Sequence, residues 1–184
     1  MTSAAPQPPV PADADAGWSR RKAALLAWSG GVVVVGDRLT KELARWRLAD
    51  VQAYDAIELV PDVAYLYLHR NEVGMLGFLS GIPSGWRQAV FVAATVVFVA
   101  YLGRLLWQAG PEHEGDLRPL ALVLAGFVGN GIDRVLYGGV VDFVVLHLPG
   151  LPAAANVADV AIFAGLAWWL VRRVRPSPAS GAAA

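Results

Sequence analysis

Four apolar runs dominate this chain of 184 residues: Ala23 to Gly36, Gln88 to Gly103, Pro119 to Ile132 and Val160 to Val171. Each falls short of the roughly 20 residues needed to cross a bilayer core. They reach that length only by taking in the charged residues at their ends, giving spans of about Ala23 to Leu43, Trp86 to Trp107, Leu117 to Leu136 and Asn156 to Val174. Such spans carry polar groups to the membrane edge, as a site at the interface requires. Composition supports a small integral membrane protein: 56% of the residues are hydrophobic and 16% charged, against about 25% charged in a typical soluble domain.

Charge placement orients the spans. Arg20, Arg21 and Lys22 precede the first, Arg104 and Arg118 border the loop between the second and third, and Arg172, Arg173 and Arg175 close the fourth. The positive-inside bias then puts both termini and that middle loop in the cytoplasm. The basic cluster before the first run also resembles the start of a secretory signal, but no small-x-small cleavage site follows Gly36-Asp37-Arg38, so the run reads as a retained span. Segments 1–19 and 176–184, rich in Ala, Pro, Ser and Gly, read as disordered cytoplasmic tails. The formal net charge of zero offers no basic surplus for nucleic acid, and the lack of cysteine excludes disulfides and thiol catalysis.

This topology gathers the unusual residues at one face. Asp37 and Lys41 end the first span, Asn130, Asp133 and Arg134 end the third, Asp142 lies in the loop after it, and Asp159 begins the fourth. An ionisable group within a span costs roughly 2.5 to 3.5 kcal/mol at its centre on insertion scales, so function is its default reading. Two carboxylates held close together cannot both ionise in a low dielectric, which keeps one as a base and one as an acid. That is shared-proton acid/base chemistry, and the cluster reads as a catalytic or ion-handling centre. His69, His113 and His147 are not at zinc-ligand spacings, so no metal is implied.

The outer segment of about 44–85 is long enough for structure of its own. Ile57 to Leu59 and Val63 to Leu68, bounded by Pro61-Asp62 and by glycines, predict two or three short strands lying on the membrane surface. Phe143 to Leu151 reads as a short interfacial segment.

The order Asp37-x-x-x-Lys41, Asn71 in a Gly-containing outer loop, Gly126-x-x-Gly129-Asn130-x-x-Asp133-Arg134, Gly139-Val140-Val141-Asp142-Phe143 and Asn156-Val157-Ala158-Asp159 resembles lipoprotein signal peptidase, signal peptidase II. The similarity covers roughly Trp28 to Leu170. It implies an all-α membrane protein: four transmembrane helices at 20–175, a small extracytoplasmic sheet (the β-cradle) at about 44–85, and a short interfacial helix covering the site. The implied activity is that of an aspartic endopeptidase of the bacterial inner membrane, cutting prolipoproteins on the amino side of a diacylglyceryl-modified cysteine. The implied catalytic pair is Asp142 and Asp159. Asp37, Lys41, Asn71, Gly126, Asn130, Asp133, Arg134 and Asn156 match residues that bind substrate or support the site. Such an enzyme is expected to need no cofactor and to act as a monomer, with prolipoproteins and membrane lipids as its partners.

Plain structural roles compete at each position. Asp133 and Arg134 suit a helix-end ion pair, and Asp37 with Lys41 an i,i+4 pair worth about 0.2 to 0.5 kcal/mol if exposed. Asn71 suits a turn, and Asp159 suits a helix start. Gly126 and Gly129 allow close helix packing, or space for a lipid chain or signal peptide. The chain leaves the family pattern at Val73, Leu76 and Ala155, where Gly, Phe and an aromatic are usual, so altered fit for substrate or for the family inhibitor globomycin is expected. Two other functions remain open on sequence: a non-hydrolytic paralogue that binds lipidated peptide or antibiotic, and a proton-coupled transporter.

Overall fold

A computed structural model describes residues 12–74, 81–149 and 151–174. Helix α1 runs Ala12–Arg47, α2 Ser84–Gln108, α3 Glu114–Tyr137 and α4 Val157–Val174. Strands β1 (Ile57–Val60) and β2 (Ala64–Asn71) lie between α1 and α2, and β3 (Val140–Leu148) and β4 (Leu151–Ala155) between α3 and α4. Among the described residues, three stretches are long and apolar enough to cross a membrane, Gly17–Arg47, Ser84–Gln108 and Pro111–Tyr137. The fourth helix has 18 residues but carries Asp159, Arg172 and Arg173.

Helix α3 is the centre of the bundle and packs against α1, α2 and α4. Glycine sets its distance from α4. A Cβ on Gly126 would lie 2.4 Å from the Ala158 carbonyl oxygen, and one on Gly165 would lie 2.5 Å from that of Pro119. The space left by Gly126 is therefore filled by α4. Away from these contacts the helices present large apolar side chains outward: Trp28 is 75% exposed, Val97 68% and Leu39 66%. Apolar exposure on this scale marks a surface that meets another apolar phase.

The basic end opposite the sheet is tied by polar contacts. Lys22 donates to the Trp107 and Ala109 carbonyls at 2.5 and 3.1 Å, meeting the free carbonyls at the end of α2. Trp18 Nε1 adds a bond to the Ala109 carbonyl at 3.3 Å. Helix α1 thus begins at Ala12, inside the segment read from sequence as a disordered tail, whose residues 1–11 lie outside the described ones, as do 176–184.

The sheet is a four-stranded antiparallel meander in the order β1-β2-β3-β4. Pro61 and Asp62 make the first turn, with Asp62 at φ 60°, a conformation Asp tolerates better than most residues. One expectation is corrected and one refined here. The sheet is not confined to 44–85, and the segment read as interfacial from Phe143 falls in strand β3 and the start of β4. A strand covered on both faces, as β3 is from Val140 to Leu146, shows no polar alternation, so its apolar run cannot be told from an interfacial or buried helical one by pattern. The interfacial helix has no α-helical counterpart among the described residues. Helical structure outside α1–α4 is there confined to 3-10 turns at Ala53–Asp55 and Pro111–His113.

Candidate active site

The site lies where α3, β3 and α4 meet, and two local devices build it. Gly138, at φ 68°, closes α3 with its N–H on the Arg134 carbonyl, a left-handed cap that only glycine enters without strain. The chain therefore turns straight from α3 into β3. Val141 N–H donates to Asp133 Oδ2 at 3.1 Å, and Asp142 follows it. Asp142 is thus a strand residue, opposite His69 of β2, and not a loop residue.

The second device is the hairpin. Ala155 pairs with Val144, so the chain leaves β4 beside Phe143 within reach of Asp142, and Asn156 Nδ2 donates to Asp142 Oδ1 at 2.6 Å. Asn156 also caps α4. Its Oδ1 accepts the Asp159 N–H at 3.0 Å, and Asp159 Oδ2 accepts the Asn156 N–H at 3.2 Å. This is a reciprocal capping box with Asp at the third helical position. Asp159 accordingly has a structural role and a place beside Asp142 at once.

Three amides hold the two carboxylates. Asn71 Nδ2 donates to Asp142 Oδ2 at 3.2 Å, while its Oδ1 accepts the Gly74 N–H at 2.9 Å. The turn role and the contact with Asp142 coexist in that residue. Asn130 Nδ2 donates to Asp159 Oδ1 at 2.8 Å. Its own Oδ1 accepts from Asn156 Nδ2 at 3.1 Å and from Lys41 Nζ at 3.0 Å. Lysine is a donor only, so Lys41 dictates which end of the Asn130 amide faces Asp159. Asp142 is 1% exposed. Burial first, and the Asp159 charge second, raise its carboxyl from 3.8 to about 7, although the Asn71 and Asn156 bonds pull the other way.

Lys41 is fully buried, with Asp37 Oδ2 at 2.8 Å and Asp133 Oδ2 at 2.7 Å. The Asp37–Lys41 i,i+4 pair is thus buried, so the small value of an exposed pair does not apply, and it is joined by a third charge from α3. Asp37 Oδ1 also accepts the Ala158 N–H at 2.9 Å, satisfying a free donor in the first turn of α4. The expected Asp133–Arg134 pair is replaced: Asp133 binds Lys41 and Arg38, the latter at 2.6 Å. Successive helical residues point about 100° apart, so neighbours in sequence do not face each other. Arg134 instead donates to the Asn130 carbonyl at 3.3 Å and stacks on Phe91 at 4.7 Å. Gly129 lets this cluster close, because a Cβ there would sit 2.7 Å from Asp37 Oδ2.

Arg38 was missed by motif spacing. Its available signal was a third charged residue within one turn of Asp37 and Lys41. It also contacts Glu42 and the Tyr137 hydroxyl. Among the departures from the family pattern, Val73 is half-buried in the turn after Asn71 and Ala155 ends β4. Leu76 lies outside the described residues.

A model of the family described as Signal peptidase (SPase) II matches residues 30–175. The chain belongs to the signal peptidase II family. A lipoprotein signal peptidase of Burkholderia vietnamiensis is 36% identical over 156 residues, covering 83% of this chain and 92% of the relative. One from Psychromonas ingrahamii is 30% identical over 139 residues, covering 75% and 78%. A solved bacterial membrane enzyme, determined by the in meso method at 1.9 Å resolution, superposes with a TM-score of 0.66 at 25% identity, covering 83% of this chain and 94% of its own. Membership makes this protein an aspartic endopeptidase of the membrane that removes signal peptides from prolipoproteins.

Proposed function

We propose that Asp142 and Asp159 are the catalytic pair, and that cleavage falls on the amino side of a diacylglyceryl-modified cysteine. The observation that carries this reading is the manner in which the two carboxylates are held. Both are anchored by Asn156 and neither is salt-bridged among the described residues, whereas Asp37 and Asp133 bind cations directly. Amide donors fix orientation without removing the option of protonation.

The pair shares one proton and titrates as a unit. The ionised carboxylate takes a proton from a water that attacks the scissile carbonyl carbon. The protonated one gives its proton to the carbonyl oxygen. Collapse of the tetrahedral adduct breaks the C–N bond as a proton passes to the departing amine, and the pair returns to its starting state. Lys41 acts through Asn130 as a positioning residue, and Asn71 and Asn156 keep Asp142 aimed at the water.

In our reading all four helices span the bilayer, with both termini cytoplasmic, the sheet and the pair at the outer face, and the monomer as the working unit. Helix α4, with its 18 residues, would be about 27 Å long, close to the roughly 30 Å hydrocarbon thickness. Its arginines sit at one end and the Asp159 cap at the other.

The test is cleavage of a diacylglyceryl-modified prolipoprotein by the purified protein in detergent, followed by mass. Asp142→Asn and Asp159→Asn should each lower the rate by about a thousandfold or more, within the range for general acid–base groups, while substrate still binds. Turnover surviving both substitutions would refute the pair.

A further inference from the structure

A groove of about 640 Å³ runs along α1, α3 and α4 at the end of the bundle away from Asp142 and Asp159. Its walls are apolar, including Leu25, Trp28, Val32 and Trp168, and its mouth carries Arg21 and Arg118. We propose that this groove binds one anionic phospholipid of the leaflet opposite the active site, with the headgroup on the two arginines and an acyl chain along the apolar wall. The orientation given under Proposed function serves only to name that leaflet as the cytoplasmic one.

Two observations select this occupant. The first is charge. Arg118 is exposed and makes no ion pair among the described residues, and Arg21, 66% exposed at its side chain, is matched only by Glu114 at 2.7 Å. Three nearby cations are already engaged, Lys22 by the α2 carbonyls and Arg172 and Arg173 by Asp116, while the exposed Arg20 adds to the positive charge beside Arg21. A free guanidinium at the head of an apolar channel matches a phosphate, which it can bind in a bidentate manner. A signal peptide fits poorly there, because the basic segment preceding its apolar region would be brought against the same two arginines.

The second observation is depth. The α1 residues lining the groove run from Arg21 to Val33, about 18 Å along the helix. That is close to half of a bilayer whose two leaflets together contribute roughly 30 Å of hydrocarbon. Trp28 and Trp168, at 75% and 42% exposure, provide rigid flat walls for the chain.

The experiment is native mass spectrometry of the full chain released from detergent, after equilibration with equal amounts of phosphatidylglycerol and phosphatidylcholine bearing the same acyl chains. Retained phosphatidylglycerol should exceed phosphatidylcholine by about fivefold or more. Arg118→Gln should bring the two to near parity, and Val32→Trp, which fills the apolar wall, should lower retention of both. Arg104→Gln, at an exposed arginine outside the groove, should leave the preference intact. Parity in the parent, or an equal loss from Arg104→Gln and Arg118→Gln, would overturn the site. So would release of the lipid by added prolipoprotein, which would assign the groove to the signal peptide. Peptide cleavage by Arg118→Gln, measured in parallel, reports separately on the catalytic reading.

Discussion

Four aspartates lie within one cluster at the sheet end of the bundle, and they are held in two different ways. Asp37 and Asp133 flank the buried Lys41 ammonium at 2.8 and 2.7 Å, with Arg38 adding a second cation to Asp133. Asp142 and Asp159 receive side-chain bonds from Asn71, Asn130 and Asn156 and, among the described residues, no direct cation. The first arrangement stores its charges in mutual neutralisation and serves the fold. The second leaves a proton free to move. The two are joined by Asn130, whose oxygen takes a bond from Lys41 while its nitrogen holds Asp159.

The contrast breaks most sharply at Lys41. Replacing it with Met strands Asp37 and Asp133 as buried carboxylates without their common partner, a loss of about 3 to 5 kcal/mol for a broken buried pair. Thermal unfolding in detergent should show a large drop for Lys41→Met. If the variant unfolds like the parent, the division between a structural and a catalytic pair is wrong.

Asp142 should behave in the opposite sense. Burial and the Asp159 charge raise its carboxyl to about 7, against 3.8 for a free one, so between those values the folded pair binds more protons than the unfolded chain. Stability contributed by this group is therefore lost as pH rises through that window. Asp142→Asn should remove that part of the pH dependence and stabilise the protein at pH 8 by on the order of 1 to 3 kcal/mol, while abolishing cleavage. Unfolding of parent and variant at pH 5 and pH 8 measures it. For the same reason cleavage by the parent should fall as pH rises above about 7, where the pair loses its shared proton.

Asn71 gives the finest test. Asn71→Ala removes one donor from Asp142 but leaves Asn156 in place, so kcat should fall by about tenfold, the equivalent of one hydrogen bond of roughly 1.4 kcal/mol. Because Asn71 also holds the Gly74 N–H, Asn71→Asp separates the roles: it can restore the turn but not donate to a carboxylate. Recovery of kcat in Asn71→Asp would show that the turn, not the bond to Asp142, matters.

Much of this site was legible in the chain because its parts are short-range patterns. The Asp37-x-x-x-Lys41 spacing puts both groups on one helix face, and Asn156-x-x-Asp159 writes the capping box in four letters. The apolar runs with charged ends located the helices, and the Val63 to Leu68 run located β2. Partners across the sequence were not legible. Asp133 beside Arg134 suggested a pair, yet helix geometry aims them apart and gives Asp133 to two cations on α1.

By itself, then, the sequence determined that this is a membrane protein with its polar groups at the span ends, and its motif order placed it in the signal peptidase II family. Tertiary structure alone decided that Phe143 to Leu148 is a central strand, that Lys41 is fully buried, and which amide faces which carboxylate. The physical reason is range. Periodicity, capping and charge bias act within a few residues, whereas strand pairing and ion pairing depend on segments about 90 residues apart, such as Lys41 and Asn130, being brought together by the packing of α1, α3 and α4.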